Sequence, residues 1–432
     1  MFCGDVHLGR RPAGLPRDLT EQSGLSPRDL GPRAALERAV AEAIRERVDA
    51  FVFAGDVVQQ ENSVFEAFGA LSRCIEPLAR AGIRIFGVAG NHDVETLPRL
   101  ANSFPQFHLL GAGGRWEDCV LQGRSGPRIA LRGWSFPTQH VSESPFSFPR
   151  PAAPEDVCAV LGVVHGDLED ARSRYAPLRA RELEAEACVK GWFLGHIHKP
   201  SLQAAAQRPI GYLGSLTALD RTEIGAHGPW IASVEPSGVL SIEQRALAPL
   251  AFENVAFDVS DWTDGAAFEQ ALRAKYAAAR EARATGANFA RAVGFNVSLH
   301  GATSAFKALR AKLAEFDEGR LLAAEFDGLL CFVADIDDRS HEPLDLPRLA
   351  LSTDPAGLLA RRLIALTDES SPLAAELIAR ARKTLEASAL RREFLGALQA
   401  PTWSDAQLRT RLLRAGWNAH EKLEAAREGR SA

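Results

Sequence analysis

The chain has 432 residues, 46% of them hydrophobic, and a formal net charge of −5. That length supports two or three domains with sizeable cores. No apolar run is long enough to cross a bilayer, and the first residues lack the charged and apolar regions of a secretion signal, so a cytoplasmic protein without membrane contact is expected. The negative balance excludes a uniformly basic nucleic-acid binder and leaves such a role to a local basic patch or a partner.

The six cysteines are scattered without C-x-x-C or zinc-ribbon spacing, which predicts buried thiols rather than disulfides or ligands. There is no G-x-x-x-x-G-K-[ST] stretch, so any ATP would be bound by another chain.

Only four residues precede Asp5, too few for a full central strand, so the first strand is expected to be very short or to begin upstream of this sequence. Residues 9–32 read as a loop rich in Arg, Pro and Gly, with Pro32 opening a helix that carries Leu36, Val40, Ile44 and Val48 on one face. Residues 51–54 follow as a buried strand. Ser63 and Glu66 form a capping box, and Leu71, Ile75 and Leu78 continue that helix to Gly82. Residues 83–89 are the next buried strand, and the strand, helix, strand rhythm implies parallel pairing.

Residues 107–134 change to short strands between Gly-rich turns, and a Pro-rich loop spans 136–154. A strand over 157–164, a charged helix over 177–187 and strands over 192–194, 210–213 and 230–234 follow. From about residue 250, strands over 255–259, 292–299 and 329–334 alternate with helices over 265–284 and 304–316, a pattern suited to a small α+β module. After Pro355 the chain is dominated by Ala, Leu, Arg and Glu at helical spacing, broken once at Pro401.

Five polar stretches stand mostly at the ends of apolar runs, where open α/β sheets carry their chemistry: Asp5-Val6-His7, Gly55-Asp56, Gly90-Asn91-His92-Asp93, His165-Gly166-Asp167 and Gly195-His196-Ile197-His198. They hold five of the chain's 11 histidines. In an extended segment residues i and i+2 share a side, so Asp5 with His7, and His196 with His198, each offer two ligands to one cavity. A set of carboxylate, imidazole and amide oxygen without thiolate favours Mn, Fe or Zn. Asp56 then bridges two ions, one held by Asp5, His7 and His198, the other by Asn91, His165 and His196. Paired ions about 3.5–4 Å apart share and activate a water and stabilise a reacting phosphoryl group, so phosphoester hydrolysis follows. His92 adjoins a ligand without being needed as one, and with Asp93 orienting it would donate a proton to the leaving oxygen. Arg10, Arg11 and Arg17 lie close enough in sequence to meet substrate phosphates. His108, His140, His227, His300, His341 and His420 have no comparable setting.

These ordered motifs resemble those of the calcineurin-like metallophosphoesterases: D-x-H, G-D, G-N-H-D/E, a single His after a strand, and G-H-x-H. Within that superfamily Asp5-Val6-His7-Leu8-Gly9 and Gly214-Ser215 after Tyr212 look like the SbcD and Mre11 nuclease branch, in particular YhaO-type exonuclease-like proteins. The resemblance implies an α/β fold, a four-layer α/β/β/α sandwich over residues 1–248, with an α+β capping domain over 249–345 and a helical region over 346–432. It further implies two divalent ions, manganese foremost, cleavage of DNA phosphodiesters in DNA repair, homodimerisation and a Rad50/SbcC-like ATPase partner, and it makes His92 the catalytic histidine. Gln59, three residues after Asp56, stands where relatives often carry an acidic residue or His, a departure that bears on phosphate positioning, and the short first strand bears on how Asp5 and His7 are anchored. The competing functions are a phosphoesterase of small nucleotides or other phosphoesters, and a non-catalytic assembly subunit whose helical tail presents Leu358, Leu359, Leu363 and Ile364 to an ATPase.

Overall fold

The computed structural model describes residues 1–16, 19–59, 64–124, 126–286, 289–317, 324–326, 328–389 and 403–428. Arg17, the Ser63 cap and the Pro401 break lie outside them. The chain divides into two compact units: Met1–Val255 with Glu269–Val297 and Ala314–Ile336, and Ala256–Phe268 with Ser298–Leu313 and Asp337–Ala432.

The first unit opens with β1 (Phe2–Cys3), α1 (Leu19–Ser23), α2 (Pro27–Leu30), α3 (Pro32–Arg45), β2 (Ala50–Ala54), α4 (Val64–Arg80), β3 (Arg84–Val88), α5 (Thr96–Ser103) and β4 (Phe107–Leu109). It continues through β5 (Trp116–Gln122), β6 (Arg128–Trp134), β7 (Ala159–His165), α6 (Ala180–Ala185), β8 (Val189–Gly195), β9 (Ile210–Tyr212), β10 (Trp230–Val234) and β11 (Leu240–Gln244). These strands form two sheets, ordered β11-β10-β1-β2-β3-β4 and β5-β6-β7-β8-β9. β1 to β4 run parallel, with β10 antiparallel to both β1 and β11 at one side. β6 to β9 are parallel, with β5 antiparallel at the edge.

Burial patterns explain the layering. Strands buried on both faces read as continuous apolar runs, and here Val52, Ala54, Phe86 and Val88 of one sheet meet Leu131, Leu161, Val163 and Phe193 of the other in one core. The opposite face of the first sheet, Phe51, Phe53 and Ile85, is covered by Leu36 and Val40 of α3 and by Leu71, Ile75 and Leu78 of α4. The outer face of the second sheet packs Trp192, Val160 and Val164 against Leu183 of α6 and the loop residues Phe136 and Leu178. Arg132, 1% exposed, holds that loop by a two-pronged pair to Asp118 (2.8 Å to each oxygen), a bond to Glu186 (2.9 Å) and one to the Pro151 carbonyl (2.9 Å).

The first strand is as short as expected, yet well held. Phe2 and Cys3 pair with Val52 and Phe53, the N-terminal amine donates to the Ala50 carbonyl at 2.7 Å, and the Phe2 ring stacks on Phe193 with centroids 3.9 Å apart. Asp5 and His7 are therefore anchored by two residues of strand and a buried aromatic pair.

Beyond Gln244 come β12 (Leu250–Asp258), α7 (Ala266–Ala284), β13 (Ala292–Ala302), α8 (Phe306–Asp317), β14 (Ala324–Phe326) and β15 (Leu329–His341), with a sheet order β12-β13-β15-β14. Within the first unit, Leu250, Phe252, Ala292, Leu330 and Phe332 share a core with Leu19, Leu25 and Leu30. The second unit contains α9 (Leu346–Leu349), α10 (Pro355–Thr367), α11 (Pro372–Ala389) and α12 (Asp405–Glu428). There Arg409 donates to the Leu366 carbonyl at 3.0 Å and His341 stacks on Trp417 at 3.7 Å. The apolar stripe expected on α10 is split: Leu363 is 1% exposed whereas Leu358 is 48% exposed. Among the described residues no helix is long and apolar enough to cross a membrane.

Candidate metal centre

The five polar stretches lie at the C-terminal ends of β1, β2, β3, β7 and β8, one edge of the two packed sheets, as the strand directions require. They converge into two groups whose ligand atoms lie within 4.8 Å of one another: Asp5, His7 and His198, and Asp56, His165 and His196. Asp56 Oδ2 lies 3.8 Å from His7 Nε2 and 3.4 Å from His165 Nε2, facing both groups. Asn91 Oδ1 is 3.1 Å from His165 Nε2 and 3.2 Å from His196 Nδ1.

The side chains arrive by a different route from the one expected. The i, i+2 pairs do not lie in extended chain: Asp5, His7, Asp56 and His196 have φ of 40°, 51°, 50° and 107°. Left-handed backbone at non-glycine residues is costly, persists where surrounding structure enforces it, and clusters at functional sites. The enforcement is visible. The Asp5 carboxylate accepts the His196 N–H at 2.9 Å, that of Asp56 accepts the His92 N–H at 2.9 Å, and the His7 N–H donates to the Asp56 carbonyl at 2.8 Å. Close approach also dictates Gly90 and Gly195, where a Cβ would sit 2.2 Å from Asp56 Oδ1 and 2.0 Å from the Ala54 carbonyl oxygen.

Hydrogen bonding sets the tautomers, and the tautomers define what the centre lacks. His7 Nδ1 is 2.9 Å from Gln59 Oε1, His198 Nδ1 is 2.7 Å from Glu223 Oε1, and His165 Nδ1 is 3.0 Å from the Ala54 carbonyl. Each acceptor receives the Nδ1–H, so that in the neutral ring, the form that binds metal, Nε2 carries the lone pair. With both rings neutral, the Nε2 atoms of His7 and His198 are then two acceptors 3.0 Å apart, and Asp5 Oδ2 is buried without a hydrogen-bond partner. His196 is turned the other way: Nε2 meets Asp167 Oδ1 at 3.1 Å, so its Nδ1 lone pair faces Asn91 Oδ1. Converging lone pairs and an orphaned buried carboxylate oxygen are what a divalent cation in each group satisfies, so the donor set fits two ions.

Protonation follows the same geometry. Burial pushes His7 down to about 3, keeping it neutral. Burial also opposes the charge on His165, but Asp56 and Asp5 outweigh it and hold its pKa up at about 9. In the metal-free protein a proton therefore occupies His165 below that value, contributing stability that is full below the ordinary histidine range and is lost as pH rises through about 9. Metal must displace this proton. Calorimetric titration of Mn in buffers of different ionisation enthalpy should show release of about one proton from this group at about pH 7, vanishing above about pH 9, with affinity falling as pH falls. Proton release that is flat across this range would break the assignment.

Asp93 is not where it was expected. Its carboxylate lies beneath the loop, accepting the N–H groups of Val57 (2.6 Å) and Gly90 (2.8 Å) rather than orienting the His92 ring. Burial, with Asp56 adding, pushes its pKa up to about 7. It is a positioning residue for the Asp56 and Asn91 loops. The ring of His92 is half-buried beside His7, with centroids 5.2 Å apart, and its Nδ1 is 3.4 Å from Gln59 Nε2.

Gln59 thus joins the two histidines: its carbonyl end accepts from His7, which turns its amide end toward His92 Nδ1 and leaves the His92 proton on Nε2. Removing it by Gln59→Leu frees the His7 ring and should weaken metal affinity or activity by about 10- to 100-fold. Unaltered metal titration and turnover in that variant would show the contact to be incidental.

Sequence reasoning missed Glu223 and left Asp167 without a role. Glu223 accepts from His198, from Ser215 Oγ (3.1 Å) and from the Leu219 N–H (2.9 Å), and Ser215 also meets the buried His227 at 3.0 Å. Asp167 accepts from His196 and from Ser173. Glu223 follows His198 by 25 residues, with no spacing rule to reveal it. Arg10 follows the turn closed by its N–H on the His7 carbonyl at 3.0 Å and is half-buried, whereas Arg11 is exposed.

Two candidate cation-binding groups that face a common carboxylate, Asp56, stand at the C-terminal edge of two packed sheets, an arrangement suited to metal-dependent phosphoester chemistry. Residues 1–200 match the family described as calcineurin-like phosphoesterase. It is 26% identical over 232 residues to the uncharacterized metallophosphoesterase YhaO of Bacillus subtilis (strain 168), covering 53% of this chain and 55% of YhaO. The chain thus spans about half the length of that relative. Solved structures similar to it include a putative 5'-nucleotidase from Staphylococcus aureus in complex with alpha-ketoglutarate, with 16% identity, 56% and 52% coverage of this chain and that one, and a TM-score of 0.33. A dimetal phosphatase from Danio rerio has 15% identity, 54% and 92% coverage and a TM-score of 0.34.

Proposed function

We propose that this protein is a dinuclear, manganese-dependent phosphodiesterase that cleaves DNA, working with a Rad50/SbcC-like ATPase in DNA repair. The observation that carries the metal chemistry is Asp56 Oδ2 facing His7 and His165 from opposite groups. The nuclease reading is supported by the Asp5-Val6-His7-Leu8-Gly9 and Gly214-Ser215 motifs and by the domains that follow the catalytic one.

Asp5, His7 and His198 would hold one ion and Asn91, His165 and His196 the other, with Asp56 shared. Bound there, the ions supply an activated water and charge neutralisation for a phosphoryl group. The chain's own part is to keep these donors fixed and aprotic through Gln59, Glu223, Ala54 and Asp167. His92, its Nδ1 facing the Gln59 amide, presents its Nε2 proton to a leaving or non-bridging oxygen. Asp93 holds the Asp56 and Asn91 loops in register through backbone N–H groups.

The test is hydrolysis of labelled single- and double-stranded DNA by the Mn-loaded chain, with and without the ATPase, alongside mononucleotides and sugar phosphates. Cleavage of DNA in preference to the small esters is expected. Turnover confined to small esters would replace DNA as the substrate, and no turnover of any phosphoester would remove the enzymatic reading.

A further inference from the structure

Beside the metal centre lies a cavity of about 370 Å³ whose walls are unusual in a chain of net charge −5. Five arginines line it: Arg10 and Arg11 on the loop after His7, Arg28 on α2, Arg33 in the first turn of α3 and Arg73 on α4. None of its lining residues is acidic, and the remainder are Gly, Pro, Ala and Leu. Of the five, only Arg33 has an ion pair among the described residues, to Glu37 at 2.8 Å. The neighbouring Asp29 is already engaged, taking the Ser26 N–H and hydroxyl and facing Arg291 at 3.7 Å.

Guanidinium groups gathered from one loop and three helices, four of them without an ion pair among the described residues, repel one another, and a ligand with several anionic groups relieves that repulsion. Guanidinium is also the side chain best matched to phosphate. Placement narrows the ligand further. The cavity begins at Leu8, the residue after His7, and Leu8 is fixed to the floor of the centre by its bridge to Val58. A small monophosphate ester seated on the metals has no further phosphate to place here, whereas a nucleic-acid strand has phosphates on both sides of the scissile one. No aromatic or amide side chain lines the cavity to stack on or read a base.

We infer that this arginine-lined cavity is a docking site for the phosphodiester backbone of a nucleic-acid strand, gripping phosphates that flank the one presented to the metal groups without reading sequence. The inference rests on the phosphodiesterase reading for its geometry, but it is read by binding alone.

The experiment uses the full-length chain in EDTA with a fluorescein-labelled oligo-dT, followed by anisotropy across a salt series. The Arg28→Ala/Arg73→Ala variant removes two exposed guanidiniums and no metal ligand, and its melting curve reports whether it folds. Each lost contact to a single strand flattens the dependence of log affinity on log salt by about 0.7, so the slope should fall by about 1.4 and low-salt affinity by about tenfold or more. Arg28→Lys/Arg73→Lys should restore most of the slope, since lysine keeps the charge. A folded alanine variant with wild-type affinity and slope would overturn the proposal, as would a wild-type chain that does not bind the strand. Displacement of the strand by inorganic tripolyphosphate at a lower phosphate concentration than the strand's own would assign the cavity to free polyphosphate, which also overturns it. Hydrolysis of bis(p-nitrophenyl) phosphate by the Mn-loaded wild-type chain reads the phosphodiesterase assignment separately, and its absence would sink that assignment while leaving the binding result standing.

Discussion

Replacing Asp56 by Asn should lower phosphodiester hydrolysis on the order of a thousandfold or more and abolish tight uptake of two metal ions by one chain. The size of the effect follows from position. A contact that merely orients a ligand is worth about 10- to 100-fold in metal affinity or activity, whereas the Asp56 carboxylate itself faces both groups. Asparagine keeps the oxygen that accepts the His92 N–H, so the loop retains its shape while the charge is gone. That loss is felt even without metal. Burial disfavours the Asp56 charge, but His165, His7 and His92 outweigh it and hold the carboxyl below its ordinary range. The carboxylate therefore stabilises the metal-free fold above the ordinary carboxyl range, and this contribution is lost as pH falls through its depressed pKa. A second readout follows from linkage: Mn should raise the melting temperature of the wild type and leave that of the variant where it is. A variant that still takes up two ions and turns over normally would refute the shared-carboxylate reading.

Much of the architecture was legible because parallel strands buried on both faces write long apolar runs, and those of β2, β3, β7 and β8 end in the polar stretches of the site. Residues 51–54 and 83–89 are read directly from that contrast. The convergence of Asp5 with His198, or of Asn91 with His165, was not legible from spacing, since it depends on two sheets packing with their C-terminal edges aligned. The i, i+2 rule named residues that the structure brings together, but for a reason the backbone does not follow: Asp5, His7 and His196 sit in left-handed turns just past their strands. Periodicity cannot see such turns, because they are enforced by contacts such as the Asp5 carboxylate on the His196 N–H, distant in sequence. Supporting residues leave even less trace. Glu223 lies in a loop with no pattern around it, and Gln59, noticed only as a departure from an acidic residue, makes a pair of contacts that depend on its having both an acceptor and a donor end. Asp93 adjoins His92 in sequence, which invited pairing the two, but consecutive residues in a loop point apart and its oxygens go to backbone N–H groups beneath.

Substitution of His92 by Asn should separate proton donation from metal binding. The side chain of His92 belongs to neither ligand group, and the link from this residue to Asp56 is made by its backbone N–H, which any residue supplies. Metal content should therefore stay at the wild-type stoichiometry, measured on the purified variant, while kcat on DNA falls by about 100- to 10,000-fold, the usual range for loss of a positioned proton donor. The leaving group provides the discriminating comparison. An alkoxide departing from DNA needs a proton far more than p-nitrophenolate does, so the variant should lose much less on bis(p-nitrophenyl) phosphate than on DNA. Equal losses on both would mean that His92 acts through electrostatics on the phosphoryl group instead, and loss of metal would mean that it helps to hold the site. Gln59 enters here too: its amide end faces His92 Nδ1, so Gln59→Leu should move the DNA-to-small-ester ratio in the same direction as the His92 variant, by a smaller factor. A ratio unmoved by either change would leave the leaving oxygen to take its proton from water.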